Sequence, residues 1–152
     1  MRNLLFKDIE IFKGCPNPIV SNVGFQDNFD GADGLGGATP DLPKVEIDIE
    51  KQHAVEALIR LVKKYPKQIT LIAIGPLTNI ALAQRLDPEF LDNLKEIVIM
   101  GGSMTAVGNI SSTFEFNFSV DPEAAHIVLT NGKNPITIMP WETALEHIIP
   151  FV

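Results

Sequence analysis

Asn109, Glu115 and Asn117 place one carboxylate and two carboxamides within nine residues, in the stretch "GNISSTFEFNFSVDPEAA" from Gly108 to Ala125. An ionised carboxylate only accepts hydrogen bonds and a carboxamide both donates and accepts, so this set matches a cluster of hydroxyl groups. Phe114, Phe116 and Phe118 alternate with the polar positions and would supply the apolar walls that a small-molecule site needs. A plain strand with phenylalanine facing in and polar groups facing out fits the same alternation. Asp121, followed by Pro122 and Glu123, reads as the N-cap of a helix rather than as a catalytic acid.

Other residues with chemical potential carry weaker patterns. "DNFDGADGLGG", Asp27 to Gly37, is acidic enough to suggest a calcium loop, but counting from Asp27 puts Phe29 at position three and Ala38 at position twelve. Those positions need oxygen ligands, so the EF-hand match fails. No G-x-G-x-x-G or G-K-[ST] opens a helix after a strand, so the run is not a phosphate loop either. His53, His126 and His147 fall in or beside expected helices without a partner pattern, and each reads as an exposed helix residue.

The elements that must position the polar run are regular from Pro43 onward. "HAVEALIRLVKKYP" sets Val55, Leu58, Ile59 and Val62 at helical spacing and stops at Pro66, which predicts an amphipathic helix. "QITLIAIG" and "EIVIMGG" are short β-branched runs ended by glycine, the pattern of parallel strands covered on both faces. Between them "PLTNIALAQRL" predicts a helix starting near Pro76. "DPEAAHIVLTNG" predicts a helix from Pro122 that ends before Gly132, and "PITIMPW" a third strand. "IEIFKG" reads as a short strand ahead of these. Alternating helices and strands predict an α/β fold with a parallel sheet and right-handed crossovers, in one domain spanning 1–152. Ligands of such sheets bind beyond the carboxyl ends of the strands, where Ile74–Pro76, Met100–Asn117 and Pro140–Glu142 would lie, and the second connection runs from about Gly101 to Val120. A connection that long in a compact domain is commonly functional.

Composition narrows the partners. A chain of 152 residues with a net charge of -7 and 45% hydrophobic residues has the make-up of a globular domain with a sizeable core. No lysine or arginine cluster exceeds a pair, which disfavours nucleic acid. Cys15 is the single cysteine, and the N-terminal residues are too polar for a signal peptide or a membrane span, so the expected setting is a reducing cytoplasm without membrane contact.

Taken in order, "DGADGLGG", "GPLTNIALA", "IVIMGG", "GN" followed by "EFN", and "DPEAA" resemble the inosine/uridine-preferring nucleoside hydrolase family over nearly the whole chain. The resemblance implies a Rossmann-like parallel sheet with flanking helices and hydrolysis of the N-glycosidic bond of ribonucleosides to ribose and free base. It also implies a bound Ca2+ that orients the attacking water. Asn109, Glu115 and Asn117 correspond to ribose-hydroxyl ligands, Met100 and Phe116 to pocket walls, and the carbonyl of Ile74 to a main-chain calcium ligand. A small-molecule nucleoside is the implied partner, and the resemblance leaves room for a homo-oligomer.

The departures are also specific. The family's acidic D-x-D-x-G-x-D-D strand end, which carries most calcium ligands and the general base, has no counterpart in Met1–Phe12, and a later aspartate with its histidine would fall beyond Val152. Asp30 stands where many members have histidine, and "PWET" stands where many read L-D-x-T. The expectation is therefore a partial nucleoside hydrolase fold that holds the ribose segment, assigns no catalytic residue in this chain, and binds no calcium stably by itself. The competing expectation is a catalytically silent nucleoside- or ribose-binding, or interaction, protein derived from the family.

Overall fold

The computed structural model describes residues 9–20, 31–32, 37 and 48–147. Met1–Asp8 and nearly all of the Asp27–Gly37 glycine run, Asp30 included, lie outside the described residues.

Three parallel strands make the main sheet in the order β3-β4-β5: β3 (Thr70–Ala73), β4 (Glu96–Met100) and β5 (Ile136–Met139). A separate parallel pair joins β1 (Ile11–Phe12) to β2 (Ile49–Glu50). The helices are α1 (Ala54–Lys64), α2 (Thr78–Leu86), α3 (Phe116–Val120), α4 (Pro122–Asn131) and α5 (Trp141–Glu146). None of the described helices is long and apolar enough to cross a membrane.

The expected α/β architecture with parallel strands is present. Register pairs Leu71 with Ile97 and Ile97 with Ile136, then Ala73 with Ile99. Register partners share a face of the pleat, so these residues line one side. There α2 packs between α1 and α4, and Leu77, Phe90, Leu91, Leu94, Ile97, Ile99 and Val128 are fully buried. Each such side chain contributes roughly 1.5–3 kcal/mol by leaving water.

The other side differs from expectation. Thr70, Ile72, Val98, Met100, Thr137 and Met139 form the opposite face, and Ile72 is 67% exposed where coverage on both faces was predicted. An all-apolar strand shows that both faces suit burial, but it does not say what packs on each. Among the described residues β3 pairs only with β4, which also leaves an edge.

Local rules explain most boundaries. α4 starts at Pro122 with Asp121 as N-cap, as expected. α2 starts at Thr78, two residues after Pro76 and close to the expected start, with Leu77 as an N-cap that makes no side-chain bond. His53 is not a free surface residue: its Nδ1 accepts from the Val55 amide at 3.2 Å and caps α1. Asn134 closes the far end, its amide nitrogen lying 2.7 Å from the Leu94 carbonyl and 2.9 Å from that of Leu91.

Candidate functional site

The candidate residues converge at the carboxyl end of β4. Gly101 and Gly102 end the strand because nothing larger fits: a Cβ on Gly101 would lie 2.5 Å from the Phe118 ring. Gly102 also has a φ of +74°, a left-handed conformation that favours glycine. The ring of Phe118 therefore lies against the strand end, and α3 is held beside it.

Glu115 fixes α3. Its Oε1 accepts from the Asn117 amide at 2.8 Å, and its Oε2 from the Phe118 amide at 3.1 Å and the Gly102 amide at 2.7 Å. The side chain is 3% exposed. These bonds make it the N-cap of a short helix and tie that helix to the end of β4. The loop expected to run to Val120 therefore becomes helical at Phe116.

Asn117 is buried, and its amide nitrogen donates to the Met100 carbonyl at 3.0 Å and lies 3.3 Å from the Met100 sulfur. Asn109 accepts from the Phe116 amide at 2.8 Å. Thus Met100, Asn109, Glu115, Phe116 and Asn117 are brought together by direct bonds. Phe114 is 60% exposed and does not join the core. Ile74 follows Ala73, the register partner of Ile99, so it reaches the same end of the sheet as Met100, with its side chain exposed.

The unused hydrogen-bonding capacity is informative. A carboxylate offers about four acceptor sites, and the backbone fills three of those on Glu115. Asn109 engages its oxygen and Asn117 its nitrogen, which leaves an amide donor on the first and an amide acceptor on the second. One carboxylate site, the two N–H donors of the Asn109 amide and the carbonyl oxygen of Asn117 remain, groups that can bond to neighbouring hydroxyls.

Asp121 serves the frame. Fully buried, it accepts from the Ala124 amide at 3.0 Å, the Thr78 hydroxyl at 2.6 Å and the Ile19 amide at 3.0 Å. Beside it Asn79 accepts from the Cys15 amide at 2.8 Å, and Cys15, Asn17, Thr78 and Val120 line a pocket of about 170 Å³. The Cys15 thiol lies 3.9 Å from His53 Nε2, and burial, with the Asp121 charge, pushes its pKa up. The local sequence "GPLTN" explains only a helix start; its partners lie 43 and 64 residues away, beyond any local pattern.

Glu142 was noted in sequence only as part of "PWET". Its Oε1 accepts from the hydroxyls of Ser103 and Thr105, each at 2.7 Å, and from the amides of Met104 at 3.0 Å and Thr105 at 2.7 Å. The hydroxyl and amide of Thr105, then the Ser103 hydroxyl, hold its carboxyl well below the usual carboxylate range.

The family described as inosine-uridine preferring nucleoside hydrolase matches residues 1–150. The chain belongs to this nucleoside hydrolase family. It is 40% identical over 127 residues to an inosine-uridine preferring nucleoside hydrolase of Leishmania major, covering 83% of this chain and 40% of that one. With the enzyme of the same description from Crithidia fasciculata it shares 44% identity over 126 residues, 82% of this chain and 39% of the relative. A purine-preferring ribonucleoside hydrolase from Gardnerella vaginalis superposes with a TM-score of 0.83 at 32% identity, covering 93% of this chain and 45% of that structure. The chain thus spans about 40% of the length of these curated nucleoside hydrolases.

Among the described residues no three His, Cys, Asp or Glu side chains gather to hold a metal ion. The Ile74 carbonyl at this sheet end is a single neutral oxygen, whereas calcium takes 6–8 oxygens with carboxylates among them. The described residues therefore do not fit a calcium site.

Proposed function

We propose that this chain is one domain carrying the ribose-binding segment of a nucleoside hydrolase, whose complete reaction splits the N-glycosidic bond of a ribonucleoside into ribose and free base. The observation that carries this reading is the convergence of Asn109, Glu115 and Asn117 at the end of β4 with one carboxylate site, the Asn109 NH2 and the Asn117 carbonyl oxygen unspent. Family membership supports the substrate class. Met100 and Phe116 would flank the sugar. Gripping the hydroxyls holds the ring, and a carboxylate at hydrogen-bond range favours the positive charge that develops on it as the bond to the base breaks. The calcium that the family resemblance implies has no fitting ligand set among the described residues, and no step is assigned to it. The relatives' names differ between inosine-uridine and purine preference, so no base preference is assigned. The single cysteine suits a cytoplasmic setting.

The same donor set supports binding without turnover by this polypeptide. Inosine, uridine and ribose should each perturb the Asn109 and Asn117 side-chain amide resonances of the purified 152-residue chain, and Asn117→Ala should remove the effect. Reducing-sugar release from inosine or uridine, with and without added calcium, should stay at background. Calcium-dependent ribose release at the rate of a full-length relative would overturn the silence of this chain. Ligand perturbation unaffected by Asn117→Ala would overturn the assignment of the grip.

A further inference from the structure

Glu142 lies in the first turn of α5, and its bonds run to the loop that leaves β4. Four donors from Ser103, Met104 and Thr105 meet its Oε1, while its Oε2 is enclosed without a protein partner. Two of those donors are hydroxyls that the ionised, acceptor-only carboxylate turns inward. The Ser103 hydroxyl also accepts from the Val107 amide at 2.9 Å, which closes the turn over Ala106. Ala106 has a φ of +58°, a conformation costing an alanine about 1 kcal/mol, so the turn needs outside support.

The peptide of Gly102 joins this clamp to the sugar site. Its amide donates to Glu115 Oε2 at 2.7 Å, and its carbonyl accepts from the Trp141 amide at 3.0 Å. Gly102–Thr105 is therefore held by Glu115 at one end and by Trp141 and Glu142 at the other. No other carboxylate among the described residues bonds to this loop.

We propose that Glu142 is a positioning residue for the sugar-binding carboxylate: it anchors Ser103–Thr105, and through the Gly102 peptide it sets where Glu115 stands. The role of Glu115 as sugar ligand rests on the function proposed above, but the mechanical link does not. Glu142 touches no ligand in this scheme. It decides whether Glu115 waits in place or must be ordered as the ligand binds, and that ordering weakens affinity.

The test compares wild type with Glu142→Ala, Glu142→Gln and the double variant Ser103→Ala/Thr105→Val in the full 152-residue chain. Amide hydrogen exchange is read at Gly102, Asn117 and Phe118, whose amides Glu115 binds, and at Ile97–Ile99 in the sheet as control. Inosine affinity is measured in parallel. Glu142→Ala should raise exchange at the three Glu115-bound amides about tenfold, with the sheet unchanged, and weaken inosine about tenfold. Glu142→Gln keeps one acceptor oxygen and should recover most of both effects. The double variant removes the hydroxyl donors from the loop side and should reproduce the alanine pattern. Unchanged exchange at Gly102, Asn117 and Phe118 in Glu142→Ala overturns the proposal, as does an equal rise in the sheet, which would mark general destabilisation. If the wild type binds no inosine, the sugar reading fails while exchange still decides the role of Glu142.

Discussion

Replacing Asp121 should destabilise the chain far more than the loss of an ordinary helix cap. Its Oδ1 caps α4 through the Ala124 amide, and its Oδ2 receives both the Thr78 hydroxyl and the Ile19 amide. The cap alone is worth about 1 kcal/mol. Hydrogen bonds to a charged group contribute about 1.5–3 kcal/mol each. Straight addition would give about 4–7 kcal/mol for Asp121→Ala, but bonds sharing one side chain do not add independently, which favours the lower end, about 4 kcal/mol. Thr78→Val removes one donor and leaves the others, so it should cost about 1.5–2 kcal/mol. Asp121→Asn keeps an acceptor for the cap but turns an amide donor towards the Ile19 N–H, and should fall between the two. Urea unfolding followed by the fluorescence of the single tryptophan, Trp141, and by circular dichroism gives these values. With a slope near 2 kcal/mol/M the alanine variant should shift the midpoint by about 2 M. A loss below about 1 kcal/mol for Asp121→Ala would mean that the links to Thr78 and Ile19 contribute nothing, and the account of Asp121 as a hub would be refuted.

Gly101→Ala should cost about 1–3 kcal/mol by forcing a methyl into the Phe118 ring, read as a lower urea midpoint with perturbed Phe118 aromatic resonances. Cys15, whose thiol is pushed up by burial and by the Asp121 charge, should react with iodoacetamide at pH 8 about tenfold more slowly in the folded chain than in urea; equal rates would count against the environment described. For Glu142 the folded pKa is depressed by its hydrogen bonds, so its contribution is present above the ordinary glutamate value of about 4.3 and is lost as the pH falls towards the folded value. The Thr105 amide resonance should accordingly stay native at pH 4, and a midpoint at or above the ordinary value would contradict that.

The parts of the fold carried by local rules were legible in the sequence. The helical spacing of Val55, Leu58, Ile59 and Val62, the Asp121-Pro122 start and the β-branched runs each produced the expected element. Features that depend on distant partners were not. "QITLIAIG" reads as apolar on both sides, yet Ala73 is buried in the cluster that α1, α2 and α4 help to build while Ile72 is exposed. β2 is two residues long and exists only through its pairing with β1. Glutamate is an uncommon N-cap, so "EFN" suggested a ligand loop and concealed the helix that Glu115 begins. The polar residues of the site were visible by type and spacing, whereas their link to Glu142 runs through the three-dimensional approach of α5 to the β4 loop.

For the proposed sugar role of Glu115, its use as a helix cap is a condition for tight binding rather than a conflict. A free glutamate loses about 1–2 kcal/mol of rotamer entropy when a ligand immobilises it. Here three backbone amides have already fixed the carboxylate before a ligand arrives. The remaining acceptor site is thus presented in a set direction. Glu115→Gln tests this double use, because the amide nitrogen must face at least one backbone N–H wherever it is placed. If it replaces Oε1 it faces the Asn117 amide, and if Oε2, the amides of Gly102 and Phe118. The variant should therefore lose protection at those amides and bind inosine much more weakly than the loss of one ligand hydrogen bond predicts, by more than tenfold. A Glu115→Gln chain with native exchange at Gly102, Asn117 and Phe118 and only a few-fold weaker binding would show that the carboxylate is not held by the backbone, and that its readiness for the sugar has another origin.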